Sequence, residues 1–282
     1  MLDILTWFGF LVLPAFIALD LFVRRRRYDA PRGWRLRALV VSAGAFFLSL
    51  KVGELWCAWA GDFALFDGAA LGTAGGAVVG VLVYELLHYG YHRLAHSWTP
   101  LWRAAHQMHH SAESLDAFGA NYLHPLDAFF FTSIATLAFF PLLGLAPEAG
   151  AIANAFLAFN AAFQHANLRT PRWLGYLVQR PESHVVHHAR GVHRWNYSDL
   201  PLWDMVFGTF RNPADVDSEV GFYRGASARV PEMLVGVDVA APRAAARVAG
   251  GRAFSAPACG ATTSSAPAAS SRRVAARGPA RR

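Results

Sequence analysis

The sequence predicts an all-α, integral-membrane helical bundle of four to five spans, closed on its cytoplasmic side by a histidine-rich cap. Three observations predict it. The 282 residues are 54% hydrophobic and only 16% charged, where a soluble domain carries about 25% charged residues. The apolar residues gather in five long blocks, the pattern of membrane-spanning helices. Eleven of the twelve histidines fall between His88 and His188.

The first block, Ile4–Val23, is long enough as a helix to cross a hydrocarbon core of about 30 Å. Arg24–Arg27 follow it directly. A secretory signal carries its positive charges before the apolar run, so this block reads as a retained span with a cytoplasmic C-terminal end. Ala38–Ala60 is the second span. Its Lys51 and Glu54 are three residues apart and are expected to pair and to face other helices, because charge is costly in lipid. Ala69–Leu87, the third span, carries Gly72, Gly75, Gly76 and Gly80, which signal close helix packing. Leu126–Leu145 and Ile152–Leu168 form a fourth and a fifth, joined as a hairpin through Gly144–Gly150 with Pro147 as breaker.

Loop charge sets the orientation. Arg24–Arg27, Arg32, Arg35 and Arg37 follow span one, whereas Gly61–Gly68 has Asp62 and Asp67 and no basic residue. The first loop is therefore cytoplasmic. Counting spans puts His88–Pro125 and everything after Leu168 on the same side, so all histidine clusters meet there. The placement is multi-pass, and the Ala/Arg-rich composition suits a bacterial inner membrane.

Two regions are expected: a membrane domain over 1–241, with its histidine-bearing core at about 84–210, and a disordered Ala/Arg-rich tail over 242–282. The net charge of +7 belongs to that tail, which holds eight arginines and no acidic residue; the rest has 18 basic against 19 acidic residues. Basicity therefore gives no ground for a nucleic-acid partner. Cys57 and Cys259 imply neither a disulfide framework nor a cysteine metal site.

The histidines are spaced for a metal. His88, His92 and His96 stand at i, i+4 and i+8, on one helix face. His106, His109 and His110 follow as HxxHH, and His184, His187 and His188 repeat that form. His124 precedes a proline, and His165 ends span five. One such pair would be weak; three clusters on one membrane face are specific. So many imidazoles without a metal would leave costly unsatisfied donors and acceptors. Imidazole-rich sites suit Fe, Zn, Cu and Ni. A structural zinc needs four ligands, and eight to ten histidines exceed one ion, which implies two.

His92-Arg-Leu-Ala-His96, Leu101-Trp102-Arg103 before His106-Gln-Met-His109-His110, His124-Pro125, Gln164-His165, His184-Val-Val-His187-His188, Asn196-Tyr197 and Trp203-Asp204 through Gly208-Thr209 carry a resemblance. Over about Tyr84–Phe210 the chain resembles the fatty acid hydroxylase/sterol desaturase superfamily of membrane di-iron oxygenases. The resemblance implies that His92, His96, His106, His109, His110, His165, His184, His187 and His188, with His124 as a tenth, ligate two non-haem iron ions. It implies O₂ as co-substrate and a lipid as substrate: a fatty acyl, sterol or related chain. His88 extends the first cluster where the family often has a non-ligand aromatic, and His193 is expected just outside the site. Asn196, Asp204 and Asp199 are candidates to orient imidazoles from behind. Glu85 is expected to be structural, and Trp203 and Phe207 to pack the cap. Some relatives carry a fused cytochrome b5-like domain. None is legible here, so an external electron donor is expected: a ferredoxin, a cytochrome b5-like protein or a reductase.

The expected activity is O₂-dependent lipid C–H hydroxylation, with a lipid or sterol desaturase using the same centre as the alternative. A histidine-rich metal transporter is more remote, because its ligands belong near the bilayer midplane of broken helices. A bis-histidine haem carrier would need histidines paired across mid-membrane helices.

Overall fold

The computed structural model describes residues 1–242. Cys259 and nearly all of the predicted tail lie outside the described residues. Ten α-helices and no named strand occur among them, in the order α1 Leu2–Phe22, α2 Trp34–Ala60, α3 Gly72–Ser97, α4 Thr99–Leu101, α5 Gln107–His110, α6 Pro125–Leu137, α7 Pro147–His165, α8 Pro181–His188, α9 Pro201–Val206 and α10 Val230–Leu234. Four helical stretches are long and apolar enough to cross a membrane: Leu2–Phe22, Trp34–Ala60, Gly68–Ser97 and Pro125–Leu142. The protein is a multi-pass, all-helical membrane protein. Large apolar side chains such as Phe22, Phe47, Leu55 and Trp59 stand exposed on these helices, as lipid-facing residues must.

The fifth predicted span, Ile152–Leu168, is not one of the four. Its residues fall in α7, where Ala, Gly and the polar Asn154, Asn160, Gln164 and His165 replace the large aliphatics of a lipid-facing helix. α7 lies against both α1 and α3, while α2 packs on α6. Small residues allow that approach: a Cβ on Gly76 would lie 3.0 Å from the Ala149 Cβ. The chain returns along α7 from the end beside Gly76 to the end where His165 meets the cap.

Lys51 and Glu54 do pair, at 2.6 Å, but on an exposed helix face, with side chains 71% and 64% accessible. The expectation that they face other helices is corrected: their neighbours three residues apart on one α2 face are each other. Asp20, a buried acid near the end of α1, accepts the backbone N–H groups of Ala117 (2.6 Å) and Asn167 (2.9 Å) and ties α1 to the cap. Trp173, Tyr176 and Leu177, in the segment between α7 and α8, are exposed.

Candidate metal centre

Nine histidines, all but the half-buried His96 fully enclosed, assemble into two groups. His92, His96, His106, His110 and His187 form the first; His109, His165, His184 and His188 form the second; within each, one ring nitrogen per residue lies within 4.8 Å of all the others. α3 carries its histidines intact to Ser97, so His92 and His96 project one turn apart from a single rigid helix. A π-turn over Trp102–His106 precedes α5. Such wide turns often mark functional sites.

Each HxxHH motif divides its histidines between both groups. His106 and His110, four apart, enter the first, and His109 enters the second. In α8 the roles reverse: His184 and His188 enter the second, and His187 enters the first. Four residues advance a helix by one turn plus about 40°, whereas three fall short of a turn by about 60°, so the middle histidine points to the neighbouring site. The groups abut where the His110 and His188 rings stack with centroids 4.1 Å apart.

The first group has one nitrogen of each of three rings anchored to the protein. A carbonyl or carboxylate oxygen only accepts, so the ring nitrogen bonded to it must donate. His92 Nδ1 donates to the Tyr197 carbonyl at 2.6 Å, His187 Nδ1 to the Trp195 carbonyl at 2.7 Å, and His106 Nδ1 to Asp127 Oδ2 at 2.7 Å. That leaves Nε2 as the basic nitrogen. The Nε2 atoms of all five residues of this group are buried without a partner. Five orphaned acceptors converging on one point fit a bound cation. In the second group the Nε2 atoms approach one another: His165 to His109 at 3.2 Å, His184 to His165 at 3.1 Å, and His188 to His184 at 3.1 Å. Ligands roughly 2.1 Å from one ion lie about this far apart.

Burial lowers the pKa of His109, His110, His184, His187 and His188 well below the usual imidazole value, and neighbouring imidazoles lower it further. Neutral rings are the form a metal binds.

The other expected residues fall elsewhere. His124 joins neither group. Its Nδ1 accepts the Leu126 N–H at 3.0 Å as the N-cap of α6, so its lone pair is spent on the helix terminus and the reading as a tenth ligand is corrected. Asn196 and Asp204 touch no imidazole. Asn196 donates to the carbonyls of Ser183 and Arg211, both at 2.9 Å, and accepts the Arg211 N–H at 2.7 Å. Asp204 accepts the N–H groups of Tyr197 (2.8 Å) and Ser198 (2.9 Å). Both brace the loop whose carbonyls hold His187 and His92. In that loop His193, Trp195 and Asn196 have φ of 42°, 73° and 51°, an unfavourable region for side-chain-bearing residues that packing must maintain. His193 lies outside both groups, 3.1 Å from His110 Nδ1.

His88 stacks on His92 at 5.3 Å but joins Glu85 and Asp199 instead. Asp199 accepts Gln164 Nε2 at 2.7 Å, and burial, with the Glu85 charge adding, pushes its carboxyl up to about 7. Trp203 packs the cap, its Nε1 donating to the Leu82 carbonyl at 3.2 Å. Sequence reasoning missed Asp127, fully buried and bonded also by Tyr91 Oη at 2.6 Å. The available signal was an acidic residue inside an apolar block, which is functional by default.

A cavity of about 400 Å³ runs between α2, α3, α6 and α7 and reaches both groups, with His92 and His106 of the first and His109, His165 and His184 of the second in its wall.

Residues 77–209 match the family model described as fatty acid hydroxylase. Ornithine lipid hydroxylase OlsE of Rhizobium tropici is 31% identical over 141 residues, covering 48% of this chain and 42% of that protein. Sphinganine C4-monooxygenase 1 of Arabidopsis thaliana is 26% identical over 137 residues, 47% of this chain and 53% of that one. Very-long-chain aldehyde decarbonylase GL1-9 of Oryza sativa subsp. indica is 28% identical over 140 residues, with the same shares of 47% and 53%. The aligned part spans about half the length of these relatives. No solved structure matches the chain. The matched segment, from within α3 to Thr209, holds all nine grouped histidines and their bracing loop, and over that segment the chain is similar to the fatty acid hydroxylase family.

Proposed function

We infer that the protein hydroxylates a C–H bond of a membrane lipid with O₂ at a histidine-held pair of iron ions. The observation that carries this reading is the division of nine imidazoles, eight of them on buried residues, into adjoining groups of five and four, with the Nε2 atoms of the first buried and unpartnered. Two iron ions held there would supply the activation of O₂ that an unactivated C–H bond requires. The balance is one C–H bond and O₂, with two electrons and two protons, giving an alcohol and water. An external ferredoxin, cytochrome b5-like protein or reductase would supply the electrons.

The protein's own part is positioning and exclusion. Asp127 and the Tyr197 and Trp195 carbonyls hold their imidazoles in one tautomer and orientation. The cavity between α2, α3, α6 and α7 receives the lipid chain beside both groups. The 189–212 region covers the centre and keeps bulk water away from reactive chemistry. The arginine count supports a cytoplasmic face for this end of the bundle, and composition supports a bacterial inner membrane.

The test is metal content and product. Protein purified in mild detergent should hold two iron ions per chain. His109→Ala and His187→Ala, which strike different groups, should each lose one. Lipids from cells expressing the wild type should include a species heavier by one oxygen atom. Folded protein free of metal, or zinc indifferent to both substitutions, would overturn the reading; a product lighter by two hydrogens would make the enzyme a desaturase.

A further inference from the structure

Away from the histidine groups, a second cavity, of about 640 Å³, opens where α1 ends and α2 begins. Arg24, Arg26, Arg27 and Arg35 stand in its wall, with Asp20 and Asp116 as the acids. Both carboxylates are already used. Asp20 accepts the backbone N–H groups of Ala117 and Asn167. Asp116 accepts Trp34 Nε1 at 3.2 Å and Ser114 Oγ at 2.6 Å. Among the described residues neither takes an arginine as a hydrogen-bond partner.

The surplus is therefore in positive charge and in donors. Arg24 Nε donates to the Asp20 backbone carbonyl at 3.0 Å, which carries no charge. Arg26 is engaged by Tyr28 and, at 3.3 Å, by Asp215, a carboxylate that Arg25 shares. Arg35 lies over the Phe118 ring at 5.0 Å. Neither it nor Arg27 has a side-chain hydrogen bond or ion pair among the described residues. Four like charges around one cavity repel one another, and each guanidinium presents a planar fork of donors that fits a phosphate. The place in the fold names the source of that phosphate. Leu36 shares the wall, and Phe22 ends the neighbouring span; both are exposed. They belong to the spans α1 and α2, so the cavity sits where hydrocarbon gives way to headgroups. A concave site of this size takes one headgroup, whereas a folded protein needs a broad face to dock on.

We propose that this cavity binds the phosphate of an anionic membrane phospholipid, with Arg27 and Arg35 as its principal donors and the acyl chains lying along α1 and α2. The site is separate from the histidine centre and does not depend on the oxidation reading. Asn167, two residues after His165, is also in the wall. It already exchanges hydrogen bonds with the Arg26 backbone, at 3.0 and 2.8 Å. A bound headgroup adds to that tie and holds the α1–α2 connection against the segment that leaves the second histidine group.

The test uses the full chain in mild detergent with tritiated dioctanoyl phosphatidylglycerol as the probe, competed by dioctanoyl phosphatidylcholine and by inorganic phosphate. One saturable site should appear, preferring phosphatidylglycerol over phosphatidylcholine by about tenfold. Arg27→Gln should weaken binding about fivefold and Arg27→Gln/Arg35→Gln about 20-fold, the scale of one arginine near an anionic lipid taken once and twice. Metal content should not change. Arg32→Gln removes the same charge from the same connection but outside the cavity wall, and should cost less than about twofold. If the double variant does not fold, the exposed Arg27 carries the test alone. Phosphatidylcholine that binds as well as phosphatidylglycerol overturns the proposal. So does an equal loss in Arg32→Gln, which would mean diffuse surface charge. Inorganic phosphate that displaces the probe at equal concentration gives the cavity to a soluble anion and overturns the lipid assignment. Lipid binding unchanged in every folded variant also overturns it and leaves the arginines to an acidic protein partner.

Discussion

His106 shows how single side chains build this centre. Its Nδ1 is bonded to Asp127 at 2.7 Å, and its Nε2 is buried and unpartnered. The carboxylate fixes the tautomer and makes Nε2 a stronger donor to a cation. Asp127→Asn keeps the shape and removes the charge. Metal affinity at the first group should fall about 10- to 100-fold, the range for loss of such a partner, with the second group spared. Titration of the metal-free protein with Co²⁺, followed by its visible absorption, would check this; equal affinity at both groups would reduce Asp127 to a packing role. His124 shows the converse. Its i−1 position to Pro125 gives it a cap to make, and a ring nitrogen that accepts the Leu126 N–H has no lone pair left for a metal at that atom.

Among the elements, the loop after α8 has the hardest task. It holds three non-glycine residues at positive φ and presents the Trp195 and Tyr197 carbonyls to His187 and His92. Asn196 clamps it with three hydrogen bonds to Ser183 and Arg211, and the Arg211 guanidinium lies 3.9 Å from the Trp195 ring centroid. Asn196→Ala would leave buried backbone groups unpaired and cost about 2 kcal/mol. Its mark should be selective: the first group, fed by this loop, loses metal before the second, whose His165 Nδ1 is anchored on the Ala161 carbonyl of its own helix. Metal content after dialysis at rising chelator concentration would show the order of loss, and simultaneous loss of both ions would contradict it.

At the scale of the molecule, the centre clasps the membrane bundle to its cap. The nine grouped histidines come from α3, the turn into α5, α5 itself, α7 and α8, so a metal held among them would tie separate parts of the chain together. An ion at a free concentration 100 times its Kd adds about 2.7 kcal/mol per site to the folded state. Chelation should therefore lower the thermal unfolding midpoint in detergent by several degrees, with recovery on adding Fe²⁺. Limited proteolysis should then cut first within 189–220. A midpoint indifferent to chelator would separate metal binding from the integrity of the cap.

Periodicity and residue chemistry alone determined much of this protein. Blocks of about twenty apolar residues must become helices that satisfy their own backbone in lipid, and the four spans follow. Histidines at i and i+4 must share a helix face, and nine of the ten predicted ligands do assemble. The tertiary structure decided what local spacing does not encode. It divided each HxxHH motif between two groups, because only the mutual placement of α3, α5, α7 and α8 fixes where two points of convergence lie. It turned α7 inward, because helix contacts reward small and polar side chains that a hydropathy count reads merely as a weaker span. It gave the imidazole anchors to Asp127 and to two backbone carbonyls. A carbonyl is the same in every residue, so its role comes from the path of the folded chain.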